Sequence, residues 1–172
     1  MFIARKLKAR NVVAYVLYMM QVEDVIRAYG MDIDRIAQDY LTRFDYDDEQ
    51  LEAATQWYDS LITMMQSEMC QNSGHVQALT AVIGDLEERH RQLLSDPQKP
   101  FYLAACEAAQ PALAELRAKG MDAEVGDVAN ALDAVYAVTL LKMQGKEVTH
   151  DTTAALAPLT RMLELLSENY ES

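Results

Sequence analysis

Residues 51–69, LEAATQWYDSLITMMQSEM, decide the fold class. Leu51, Ala54, Tyr58, Leu61, Met65 and Met69 recur at intervals of three and four. At about 100° per residue, that spacing gathers them on one stripe of an α-helix. A half-buried strand would alternate apolar and polar residues, and this stretch does not. Asp48, Glu49 and Glu52 stand at its head, where negative charge complements the positive end of the helix dipole. The pattern predicts a helix from about Asp48 to the breaker QNSG at 71–74.

The same period runs outward in both directions. Val76, Leu79, Ile83, Leu86, His90 and Leu93 form a second stripe. SDPQKP at 95–100 places two prolines in six residues and is the one candidate internal boundary. An alanine-rich helix is expected over 101–119, kinked or divided at Pro111 and ended by Gly120. Another covers 123–144, with Val125, Val128, Leu132, Val135, Tyr136, Thr139 and Met143 at helical spacing and Gly145 closing it. Thr149 caps a last helix that runs to about Tyr170 and contains Pro158. Upstream, Asn11–Tyr29 reads as a helix stopped by Gly30. Asp32 caps a short one, IDRIAQDYLTRF, before the turn DYDD. No segment sustains β-type alternation, and no repeat recurs at a fixed period. The expectation is an all-α protein, a single domain over 1–172 built as one bundle of about six to seven helices.

Composition narrows the function classes. The 172 residues are 51% hydrophobic and 24% charged, with 6 Gly and 4 Pro, a soluble, helix-favouring balance. Net charge is −12. Residues 1–10 hold four of the fifteen Lys/Arg and no acid, while 32–59 hold nine acids against Arg35 and Arg43. A phosphate backbone would be repelled, so no nucleic-acid partner is expected. The apolar run VVAYVLYMM spans nine residues, too few to cross a membrane, and no small-residue cleavage site follows it. Cys70 and Cys106 stand apart, without a CxxC motif or an adjacent histidine. They read as reduced thiols, which points to the cytoplasm.

Three segments carry a resemblance: MFIARKLKARNVVAYVLYMMQVEDVIRAYG at the start, WYDSLITMMQSEM followed by GHVQ in the middle, and ALAPLTRMLELLSENY at the end. They resemble a family of small uncharacterised proteins, a domain of unknown function found mainly in Bacteroidetes-type bacteria. The likeness runs the length of the chain. It implies a cytoplasmic, single-domain, helical protein and supplies no activity, cofactor or catalytic residue.

Candidate chemistry must therefore come from the residues. Gln21, Glu23, Asp24 and Arg27 share one side of the first helix. The favoured reading is a wet helix face with an exposed Glu23–Arg27 pair at i,i+4; the sharper one is a binding cavity between helices. Glu87-x-x-His90 and Glu147-x-x-His150, with Glu23 and Glu68 in reserve, imitate a carboxylate-bridged dimetal set. Glu147 and His150 straddle a loop, however, and Arg91 is the expected partner of Glu87, so no metal is assigned. His75 can meet Glu68 across the turn as an acid–base couple, although helix-end capping is favoured for both. FDYDDEQLE lacks the glycine and glutamate of a calcium loop, Gln50 and Gln56 standing there instead. Methionines in YMM and TMM fill core space or line an adaptable groove. No nucleophile or phosphate-loop motif occurs.

The leading expectation is a non-enzymatic protein acting through protein contacts, as a homo-oligomer or with another partner, with no cofactor. The competing one is a small-molecule or metal-binding bundle using Glu23, Glu68, His75 and His90.

Overall fold

The computed structural model describes residues 2–120 and 125–170, and every regular element among them is helical. Among the described residues there are eight α-helices, slightly more than the six to seven expected. The addition lies at the N-terminus, where α1 (Phe2–Lys8) forms in the basic segment. It is too short for periodicity to reveal.

The chain divides into two compact units, and the division falls inside a helix, between Ala81 and Val82. The first unit comprises residues 1–10 and 14–81. It holds α1, most of α2 (Val12–Ala28), α3 (Ile33–Arg35), α4 (Asp48–Ser67) and the start of α5 (Gln77–Leu94). The second comprises 11–13 and 82–172, with the rest of α5, α6 (Pro100–Ala118), α7 (Asp127–Met143) and α8 (His150–Glu168). The 95–100 loop lies within the second unit.

In the first unit the local signals do as physical chemistry requires. Gly30 takes a φ of 69° and ends α2. The N–H groups of Gly30 and Met31 turn back onto the carbonyls of Arg27 and Ile26, the Schellman arrangement that satisfies otherwise orphaned carbonyls. The Asp32 side chain accepts from the Arg35 N–H, as its capping role predicts. The segment IDRIAQDYLTRF is less regular than a plain helix: α3 widens to a π turn at Ile36–Tyr40 and tightens to a 3-10 turn at Leu41–Arg43. The payoff is aromatic packing, with Tyr40 edge-on to Phe44 at 5.3 Å and to Tyr58 at 6.1 Å between ring centroids. Asp47 caps α4 in a reciprocal capping box with Gln50. Ala54, Tyr58, Leu61 and Met65 are buried as the stripe requires. Met69 is not: it is 85% exposed. The helix ends first, and Met69 adopts a left-handed φ of 57° while the Met69 and Cys70 N–H groups bond the Gln66 and Met65 carbonyls. That turn rotates its side chain off the stripe.

In the second unit α6, α7 and α8 pack on one another. Pro111 does not divide α6, which runs through it from Pro100 to Ala118. Ala109 and Leu113 on either side are fully buried, and their packing offsets the lost backbone hydrogen bond. The α8 cap is Thr149, whose hydroxyl accepts from the Thr152 N–H. α7 begins at Asp127, later than expected; residues 121–124 lie outside the described residues. Val125, assigned to the apolar face, is exposed. Among the described residues, no helix is long and apolar enough to cross a membrane.

Candidate functional site

On the polar side of α2, Glu23 is turned inward where a wet face was expected, while Gln21, Asp24 and Arg27 stay part-exposed. Glu23 is 0% exposed. Its Oε2 lies 2.6 Å from Nδ1 of His75, and its Oε1 accepts the Val76 N–H at 2.9 Å. The predicted Glu23–Arg27 pair does not form. Arg27 bonds Asp24 at 2.9 Å instead, and its other terminal nitrogen donates to the carbonyls of Cys70, at 3.0 Å, and Gly74. An exposed i,i+4 pair is worth only a few tenths of a kcal/mol. Leaving the amides and carbonyls of the 70–76 turn unbonded would cost more. The side chain of Arg27 is 17% exposed and that of Asp24 39%; Gln21 is half-buried.

Glu68 stands on the same turn and accepts from the Gln77 N–H. Two carboxylates thus sit on successive amides, Val76 and Gln77, at the start of α5, where unpaired N–H groups and the helix dipole favour negative charge. His75 pairs with Glu23, 52 residues away in the chain. Burial pushes the nearby Cys70 thiol up, reinforced by the charges of Glu23 and Glu68. The cluster ties α2 to the turn before α5.

His90 belongs to a second cluster, in the other unit. Its ring is buried, with Nδ1 2.6 Å from the Tyr102 hydroxyl and Nε2 4.0 Å from Asp127. Asp127 is in turn held by Arg117 and, at 3.5 Å, by Gln110. Burial lowers the His90 pKa below its ordinary value, against the opposing pull of Glu87 and Asp127. Burial likewise raises those of Tyr102 and Cys106. Burial of the ring thus favours the neutral form of His90. Glu87 does not pair with Arg91, which bonds Glu88 at 2.6 Å. Its Oε1 accepts the Ala129 N–H at 2.9 Å, capping α7 from another helix. Gly126 makes room for it: a Cβ there would lie 2.1 Å from Oε1.

The dimetal set is not assembled. Glu147 lies in the loop before α8, and His150 is the exposed first residue of that helix. Among the described residues, no three His, Cys, Asp or Glu side chains are placed to hold a metal ion. Tyr102, Arg117 and Asp127 were not singled out from the sequence. The one signal was Gly126 directly before Asp127, a glycine where a side-chain cap is usual.

The second unit also carries an apolar groove of about 520 Å³ between α6, α7 and α8. Leu116, Ala134, Ala137, Val138, Ala155 and Leu156 line it, with Glu115, Lys119 and Asp151 at its rim. Lys119 is bonded to Glu115 at 2.6 Å. Asp151 has no ion-pair partner among the described residues.

The chain belongs to the family described as a domain of unknown function, DUF4924, whose model matches residues 1–172. No curated protein and no solved structure matches it.

Proposed function

We propose that this member of the DUF4924 family acts through protein contacts rather than catalysis, seating a basic amphipathic helix of another protein in the α6–α7–α8 groove. The observation that carries the reading is the groove itself: small alanines on three helices leave a channel into which a partner's apolar ridge can settle. Charge selects the partner. The rim adds the open carboxylate of Asp151 to a Glu115–Lys119 pair that is already neutralised, on a chain of net charge −12. A helix with Lys or Arg beside its apolar stripe complements both features. The competing small-molecule or metal reading must use Glu23, Glu68, His75 and His90. Both oxygens of Glu23, Oε2 of Glu68 and one ring nitrogen of each histidine are already engaged, by helix-end amides, by one another or by a tyrosine. We place the protein in the bacterial cytoplasm, a reading supported by two buried free thiols.

The test is fluorescence anisotropy with a labelled Leu/Lys amphipathic helix, comparing the native chain with Ala137→Trp. This substitution fills the groove from an exposed position and leaves the net charge unchanged. Loss of binding in the variant, with helical content intact by circular dichroism, is the expected result. Equal binding would reduce the attraction to bulk charge and overturn the reading. Native mass spectrometry runs in parallel: a dimer that Ala137→Trp dissociates would make a second copy the occupant and also overturn it.

A further inference from the structure

From a pocket in the first unit we infer a binding site for a small apolar carboxylate, such as a medium-chain fatty acid, with Arg5 and Lys8 holding the anionic end. The cavity measures about 280 Å³ and opens between α1, α2, α4 and the start of α5. Met19, Leu61, Val76 and Leu79, all buried, make its floor, while Trp57 and Met64 form part of its wall. The two methionines come from the YMM and TMM segments, which the fold brings to one cavity. Unbranched, polarizable side chains of this kind adapt to a flexible apolar guest.

The charged lining is one-sided. In a chain of net charge −12, the charged residues lining this pocket are Arg5 and Lys8, with no acid. Neither meets a carboxylate among the described residues. Lys8 rests over the Tyr15 ring, 5.6 Å from its centroid, and Tyr15 also lines the pocket. Two cations and a phenol at the mouth of an apolar cavity describe a guest with an anionic head and a hydrocarbon body. The size suits a medium-length acyl chain, since 280 Å³ is the room of roughly nine waters at about 30 Å³ each. The site is separate from the groove of the second unit, and either reading can fail without the other.

Trp57 is the single tryptophan of the chain and lines the pocket, so its emission reports occupancy directly. Octanoate is titrated into the full chain, with octanamide as the uncharged control. Saturable change with octanoate, about tenfold weaker binding of the amide, and a similar loss in the Arg5→Gln/Lys8→Gln double variant are the expected results. Both substitutions are at exposed positions, and circular dichroism checks that the fold persists. An emission indifferent to millimolar octanoate overturns the inference, as does equal affinity for the amide or an unaffected double variant. Phosphatidylglycerol vesicles form the last arm. A response to vesicles without one to octanoate would make the basic mouth a lipid-surface contact instead, and would equally overturn it.

Discussion

The carboxylate of Glu23, together with the Arg27 guanidinium, holds the turn between α4 and α5 against α2. Its burial is tolerable because both oxygens are occupied, by His75 and by the Val76 amide. Glu23→Ala would strand that buried N–H and open a void, and should cost about 2–4 kcal/mol in urea unfolding. Glu23→Gln keeps the shape and one acceptor, and should cost less. His90 makes a pH-dependent contribution. Its folded pKa lies below the ordinary 6.5, so the unfolded chain takes up the proton first. The stability due to neutral His90 is therefore complete above about pH 6.5 and declines as pH falls toward the folded value. Comparing unfolding midpoints of the native chain and His90→Gln between pH 8 and 5 isolates this component; parallel profiles would assign the pH dependence to other groups.

At the scale of the element, two glycines that look alike in sequence do opposite things. Gly84 sits inside α5, its φ is not positive, and an added Cβ would meet nothing within 4 Å. Gly84→Ala should therefore stabilise the protein by about 0.5–1 kcal/mol through the reduced entropy of the unfolded chain. Gly126 heads α7, and a Cβ there would collide with the Glu87 carboxylate. Gly126→Ala should cost about 1–3 kcal/mol by expelling the group that caps Ala129. Glu87→Ala in the same background should then cost little more, because the cap is already lost. Thermal unfolding of the three variants distinguishes the two positions.

For the whole molecule, each compact unit contains one buried thiol, Cys70 in the first and Cys106 in the second. Both pKa values are raised, chiefly by burial, which lowers the reactive thiolate fraction at a given pH. At pH 8, dithionitrobenzoate should label both about a hundredfold more slowly in the native chain than in urea. Fast labelling of one thiol alone would locate the less stable unit.

Periodicity and end-signals, both near-neighbour effects, were enough to read the all-helical class, the stripes of α4 and α5, and the caps Asp32, Gly30 and Thr149. They failed where a local turn or a distant partner intervened. Met69 continued a stripe on paper, but the helix had already closed in a left-handed turn. α1 spans only two turns, too little for a period to register. The candidate residues Glu23, Glu68, His75 and His90 could be picked out by type, yet their partners could not. Glu23 finds His75 across 52 residues, and Glu87 reaches Ala129 across 42. A helical wheel ranks faces by hydrophobicity and assigns charge to water. Only packing supplies the amide and imidazole that let Glu23 be buried on the polar side of α2, so the sequence alone determined the helices long enough to show a period, and the tertiary structure decided which charges went inside.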